Sequence, residues 1–304
     1  MKKNLFLLAF LCFSLHLKAW WDPGHLVTAM IAYKLLDKDV QKKVDKYVRE
    51  MKRDYKYINH FVALAAWPDD LKAEDVRCYN TMHYTDIPYN PHGVALPPHP
   101  EIDVLWAIGQ ATAVLKSKKA RDIEKARQLA FLMHFVGDIH QPLHSTSMFT
   151  NSHPGGDAGG NFFRLEGEWS NLHKLWDDGC GFLSAYNDIN PYGKPKEPLT
   201  KVELDRLDKL AVELMDAFPE ESLPGVDNLD PDFWALESHK LAVNYVYRGV
   251  VGIEKGGRKK RLKPNTVPSE YYKKQGQEVV RKQLAMAGYR LAKVLNQVFG
   301  ASND

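Results

Sequence analysis

The chain has 304 residues, 44% of them apolar and 26% charged. Its three-charge excess of Lys+Arg (41) over Asp+Glu (38) lies wholly in Lys2, Lys3 and Lys18, so the chain from residue 20 on is formally neutral. Bulk charge therefore excludes a strongly basic nucleic-acid-binding module, any attraction for anions must be local, and no segment after the first twenty residues is apolar for long enough to span a membrane.

The N-terminus has a secretory layout. Lys2 and Lys3 precede an apolar core, Leu5 to Leu17, and Leu17-Lys18-Ala19 supplies a small-residue cleavage site. The apolar run is too short for an anchor. We expect residues 1–19 to be a signal peptide and the product to be exported, periplasmic or secreted. Cys12 leaves with the signal. Cys78 and Cys180 remain, and an even pair in an exported protein predicts a disulfide. Each lies near a candidate ligand, so a bridge would pin two walls of the site.

Apolar residues recur at three- and four-residue steps over 25–36, 39–52, 58–66, 101–117, 121–137, 201–217, 230–248 and 270–297. The predicted fold class is mainly α. No linker, repeat or low-complexity tract divides residues 20–304, which predicts one domain. Four prolines make 90–100 a loop. Residues 145–170 are rich in Gly, Ser, Thr and Asn, with Phe162 to Leu165 as a short strand, and are predicted to form a lip. A second loop covers 187–200. The basic stretch 256–264 reads as a solvated turn. A role in phosphate contact would require it to fold near the functional site.

Two stretches place histidine and aspartate at metal-ligand spacing. They are His134-Phe-Val-Gly-Asp138-Ile-His-Gln-Pro142-Leu-His144 and His173-Lys-Leu-Trp-Asp177. Residues at i and i+4 share a helix face, so His134/Asp138 and His173/Asp177 form two bidentate clamps. Nitrogen with carboxylate oxygen suits zinc better than calcium or magnesium, which favour all-oxygen sites. Pro142 ends or kinks the first helix, which frees His144 to face a different metal from the one His134 holds. His140 is six residues from His134 and faces away from the clamp. His60, His92, His99, His153 and His239 are likewise read as ordinary residues.

With the signal removed, the chain would begin Trp20-Trp-Asp-Pro-Gly24-His25. Further motifs are Trp67-Pro-Asp69-Asp-Leu-Lys72, His83-Tyr84-Thr-Asp86, Gly159-Gly160-Asn161, Trp234-Ala-Leu-Glu-Ser238 and Ala287-Gly-Tyr-Arg-Leu-Ala292. Taken in order with the two clamps, they span nearly the whole mature chain. Together they resemble the tri-zinc single-strand nucleases and 3′-nucleotidases, the plant and fungal type I nucleases and their bacterial relatives.

That resemblance implies the all-helical fold shared with zinc phospholipase C, with a short β-hairpin or loop lip. It implies three Zn²⁺ ions. One is held by Asp69, His83, His134 and Asp138. A second is held by His144, His173 and Asp177. The third is held by the amine and carbonyl of Trp20, with His25 and a bridging Asp138. Asp69, Lys72 and Asn161 are implied in catalysis. Tyr84 is implied as a stacking face for a base, beside Asp86, which could equally orient His83. The implied substrates are single-stranded DNA and RNA and 3′-nucleotides, cut by a monomer with no membrane anchor. A zinc phospholipase C is the alternative enzyme. In that family the last clamp ends in glutamate and the first histidine lies further from the terminus. Here Asp177 ends the clamp and five positions separate Trp20 from His25. The alternative of another class is a non-catalytic periplasmic zinc-binding protein. Lys72 and Asn161, which bind no metal, argue against it.

Overall fold

Two helices carry long stretches buried on every side, and they set the architecture. The first, α1 (Asp22–Lys34), is buried without interruption from Asp22 to Ala32. The second, α5 (Asp122–Ile139), is buried from Leu129 to Ile139. A helix that is apolar all round belongs in the middle of a domain. The remaining helices wrap these two. They are α2 (Lys38–Asp54), α3 (Trp67–Ala73), α4 (Val104–Lys116), α6 (Leu172–Asp177), α7 (Lys201–Ala217), α8 (Pro231–Leu241) and α9 (Glu270–Phe299). In this computed structural model the described residues are 20–190, 195–253 and 258–300. The predicted signal peptide, 1–19, lies outside them.

The 30-residue α9 packs along α1, and α4 packs along α5. The outer helices bury one stripe only. In α2 that stripe is Val40, Val44, Tyr47, Val48 and Met51, while charged residues face water. Local signals set the helix starts. Asp103 accepts the Trp106 N–H of α4, and a Thr200/Glu203 capping box opens α7. The result is a single mainly helical domain, as the periodicity predicts. No described helix is long and apolar enough to cross a membrane.

The structure refines four expectations. The helix expected over 58–66 is a 3₁₀ segment, Phe61–Ala66, which runs directly into α3. The helix expected over 230–248 changes to a π-helix at Ala242–Tyr247. Phe162 to Leu165 forms no strand. Only Arg164 makes an isolated bridge, to Asn171. The basic stretch is not a bare turn, because β4 (Lys259–Arg261) pairs antiparallel with β3 (Val250–Ile253). Residues 256 and 257 of that stretch lie outside the described residues. A second pair, β1 (Pro88–Tyr89) and β2 (Ser147–Met148), is parallel.

The expected disulfide is not formed. Cys78 is an exposed free thiol on the loop after α3, and Cys180 is a buried free thiol. Cys180 closes the turn after α6 at φ +56° and faces Gly276 on α9. One thiol lies at the surface and the other in the core, packed against α9. Burial also pushes the Cys180 thiol well above its usual range, which makes it inert. Alkylation of the folded protein should therefore modify Cys78 and spare Cys180 until denaturant is added. Mass spectrometry that found neither thiol reactive without reductant would restore the bridge.

Candidate metal centre

Polar side chains on apolar helices must find partners, and here they find one another. His25 projects from α1, and His134 and Asp138 project from α5. Asp69 and Lys72 come from α3, and His83 from the 3₁₀ turn Asn80–His83. After α5 stops at Ile139, Pro142 opens a 3₁₀ turn, Pro142–Ser145, which presents His144. Asn171 caps α6, accepting the Lys174 N–H at 2.8 Å, and so fixes the helix carrying His173 and Asp177.

Three groups of converging donors result. They are Asp69/His83/His134, His25/His134/Asp138 and His144/His173/Asp177, all buried. His134 Nε2 lies 3.0 Å from His83 Nδ1 and 3.3 Å from Asp138 Oδ2. The same Asp138 oxygen is 3.0 Å from His83 Nδ1, and Asp69 Oδ1 is 3.6 Å from His134 Nε2. Donors bound at ~2.0–2.2 Å around a tetrahedral zinc are separated by about 3.3–3.6 Å. The spacing therefore fits a cation cage. The other Asp138 oxygen, Oδ1, faces His25 Nε2 at 3.4 Å. One carboxylate thus addresses two histidine groups. His173 Nε2 and Asp177 Oδ2 are 3.4 Å apart in the third group.

Backbone carbonyls orient the rings. The second ring nitrogen of His134 bonds Ala65 O at 2.7 Å, that of His144 bonds His83 O at 2.6 Å, and that of His173 bonds Gly159 O at 2.7 Å. Each Nδ1–H donates, which leaves Nε2 with a lone pair aimed inward. Both ring nitrogens of His25, Nε2 of His83 and Oδ1 of Asp138 are buried without a hydrogen bond among the described residues. Such orphaned atoms fit a metal site.

The electrostatics agree. Burial, then neighbouring positive groups, hold His25 and His83 well below the usual imidazole range, and burial takes His134 down to about 4. The rings are therefore neutral and ready to ligate. Burial, then the Asp69 charge, pushes Asp138 well above the carboxylate range. Burial alone would lift Asp69 too. The Lys72 ammonium, 2.8 Å away, leads the interactions that outweigh it and hold Asp69 well below that range. A bound dication reverses the penalty on Asp138.

Asp69, not Asp70, faces the histidines. Asp70 turns to Lys196 at 2.9 Å and accepts from the Tyr57 hydroxyl. Trp20 is fully buried and donates Nε1–H to Gly137 O, while Trp21 N–H donates to Asp177 O. Tyr84 and Asp86 line a small pocket with His144, Ala158, Gly159 and His173. Burial, then Asp157, lifts Asp86 to about 6. No Asp86 bond to His83 is formed among the described residues, so Asp86 does not orient that ring. Asn161 is buried in the lip and donates to Ala158 O at 2.8 Å. His140 faces away as expected, bonded to Val136 O and Arg290.

The chain matches the family S1/P1 Nuclease over residues 20–300. It belongs to that family. It is 28% identical to Endonuclease 3 of Arabidopsis thaliana, over 93% of this chain and 90% of the relative. Endonuclease 1 of the same plant is 29% identical, over 95% and 90%. Nuclease S1 of Aspergillus oryzae is 23% identical, over 92% and 91%. The protein is thus an S1/P1 nuclease, a hydrolase of phosphodiesters with nucleic acid as its substrate class, and it has three buried His/Asp clusters able to bind metal ions.

Sequence reasoning missed three residues of this nuclease site. Gln141 donates to Asp177 Oδ1 at 2.7 Å and accepts from Leu143 N–H, which ties the two clamps together. Its position between His140 and Pro142 was the available signal. Lys196 bridges Asp22 and Asp70 behind α3, and nothing in its local sequence marks it. Gly137 lets His25 lie on the α5 backbone, since a Cβ there would sit 2.7 Å from His25 Nδ1. Gly137→Ala should displace that ring. The expected outcome is about one bound metal ion fewer by elemental analysis and a loss of about 1–3 kcal/mol in denaturant unfolding. Unchanged metal content would show that His25 is not held there to ligate.

Proposed function

We propose that the protein is an exported, monomeric, zinc-dependent endonuclease. It cuts single-stranded DNA and RNA to 5′-phosphorylated products and removes phosphate from 3′-nucleotides. The observation that carries this reading is Asp138, whose two oxygens face separate histidine groups, an arrangement that would let one carboxylate serve two metals. Asp69, His83, His134 and Asp138 would hold one zinc. His144, His173 and Asp177 would hold the second. Trp20, with His25 and Asp138, would hold the third. The burial of Trp20, its Nε1–H bond to Gly137 O on α5 and the adjoining bond from Trp21 N–H to Asp177 O on α6 support that last assignment.

When bound, zinc supplies Lewis-acid charge and lowers the pKa of an adjacent water toward ~7. The remaining work belongs to the chain. Asp69, kept ionised by Lys72, orients the attacking water. Lys72, an ion pair away from Asp69, places positive charge against the phosphate as its negative charge grows. Asn161 uses one amide N–H on Ala158 O and keeps the other for a phosphate oxygen. Tyr84 stacks on a base, and Asp86 receives the hydrogen-bonding edge of that base. Stacking on such a face requires an unpaired base, which gives preference for single strands.

The test is product analysis on denatured DNA, RNA, a 3′-nucleotide and a phosphatidylcholine analogue, each with and without chelator. Chelator-sensitive 5′-phosphorylated products from the first two support the reading. Cleavage of the phospholipid alone overturns it. Lys72→Ala should retain its metals and lose about 10²–10³ in kcat. Full activity on single-stranded DNA would remove Lys72 from the mechanism.

The amine of Trp20 exists only after cleavage behind Ala19. One extra residue before Trp20 converts it to an amide, a poor ligand. That variant should bind about one zinc fewer and lose most of its activity. Equal zinc and equal rate in the extended and authentic forms would exclude terminal ligation.

A further inference from the structure

The formally neutral chain from residue 20 carries a strong local charge. From Arg248 to Lys263 the sequence has seven Lys/Arg and a single acid, Glu254. Arg248, Arg258, Lys259, Lys260 and Arg261 are exposed. None of them pairs with a carboxylate among the described residues, whereas lysines elsewhere do. A cluster of like charges left uncompensated on a neutral protein costs stability through self-repulsion. It fits a polyanionic ligand.

The fold brings this cluster to the active-site lip. Two extended segments leave the metal centre side by side. One starts at His83 and the other at His144, where Thr85 N–H donates to His144 O at 2.8 Å. They run outward as β1 and β2 and stay paired to Tyr89, where Phe149 N–H donates to Tyr89 O. Five residues of extended chain separate Tyr84 from Tyr89, a reach of at most about 18 Å. Arg248 meets Tyr89 there. Its Nε–H donates to the Tyr89 hydroxyl at 2.8 Å, and its guanidinium lies 5.4 Å from the ring centroid. Arg261 in turn donates to Arg248 O. The link back to the pocket is continuous. Tyr247 packs 5.5 Å from the Tyr89 ring and donates to Asp157, the residue before pocket-lining Ala158. On the other side, Asn265 N–H donates to Arg164 O and Glu166 N–H to Thr266 O, which join the hairpin connection to the lip.

We propose that strand β4 (Lys259, Lys260 and Arg261), with Arg248 and Tyr89, is a second contact site for single-stranded nucleic acid, engaging backbone phosphates of nucleotides beyond the one being cut. The reading rests on the nuclease function proposed above. The Arg248–Tyr89 pair offers a stacking plane with a cation attached. The hairpin lysines and arginine supply phosphate contacts without base selection.

The prediction separates polymer from monomer. A 3′-mononucleotide fills only the pocket at Tyr84 and cannot reach the hairpin. Each single-strand phosphate contact contributes about 0.7 to the slope of log affinity against log salt. The test uses the zinc-loaded mature protein and its triple variant Lys259→Ser/Lys260→Ser/Arg261→Ser. Both hydrolyse a 20-nucleotide oligothymidylate and a 3′-mononucleotide across a salt series of roughly 0.05–0.2 M. These side chains are exposed, so the fold should be retained, and unchanged unfolding and zinc content check that. We expect KM for the oligonucleotide to rise about tenfold at low salt and the salt slope to fall by about 2. The mononucleotide should keep its KM and kcat. Tyr89→Leu should raise oligonucleotide KM without changing the slope. An unchanged oligonucleotide KM and slope overturns the proposal, as does an equal loss on both substrates. A parent enzyme that cleaves no oligonucleotide overturns the single-strand nuclease reading instead.

Discussion

A single carboxylate, Asp138, constrains the rest of the molecule. It sits fully buried in the wholly buried C-terminal half of α5, with one oxygen turned to His83 and His134 and the other to His25. That placement is unfavourable unless positive charge arrives, because burial and Asp69 both oppose ionisation. The surrounding elements hold the cost in place. α1 and α5 are fixed by apolar packing on every side, so His25 and Asp138 cannot retreat to solvent. The Ala65, His83 and Gly159 carbonyls lock the tautomers of His134, His144 and His173. The cage is preorganised by the fold and able to take a cation, the order expected of a catalytic centre.

Much of this was legible in the sequence because helical periodicity is short-range. The i, i+4 steps of His134/Asp138 and His173/Asp177 need only local geometry, and α5 and α6 supply it. Pro142 ends a helix by its own ring and so predicts the redirection of His144. The misses are long-range or conformationally subtle. Nothing local told that 58–66 would wind as a 3₁₀ segment, or that Trp67 would restart a helix there. The failed disulfide has the same origin. Cysteine counting treats Cys78 and Cys180 as equivalent, but a left-handed turn buries Cys180 against Gly276 while Cys78 stays in solvent. Asp86 was open between two roles by sequence, and tertiary geometry turned it to the pocket.

Behind the cage lies a second layer of charge that no motif announces. Lys196 joins Asp22 at 3.0 Å and Asp70 at 2.9 Å, and Tyr57 caps the other Asp70 oxygen. Asp22 belongs to the helix that carries His25, and Asp70 is the neighbour of Asp69. The ammonium therefore ties α1 to α3, the two elements that bring donors to opposite sides of the centre. Burial, moderated by Lys196, lifts Asp22 to about 7 and Asp70 to about 6. A buried pair adds little net stability over an apolar substitute, but losing one member strands the others. Its contribution is registry, with α1 and α3 held at one spacing.

Charge is thus distributed by depth. At the centre, acids and imidazoles await cations. One layer out, Lys196 balances two carboxylates and fixes the frame. At the rim, the excess is positive, on Arg248 and β4, with no carboxylate partner among the described residues. A polyanion approaching from solvent meets the cations first, where contacts are solvated and salt-sensitive. It meets the metal donors last, behind the small pocket lined by Tyr84, Asp86, His144 and His173. The gradient lets a chain that is formally neutral from residue 20 on handle a polyanion, because the interaction needs local charge along the path and no net charge on the whole.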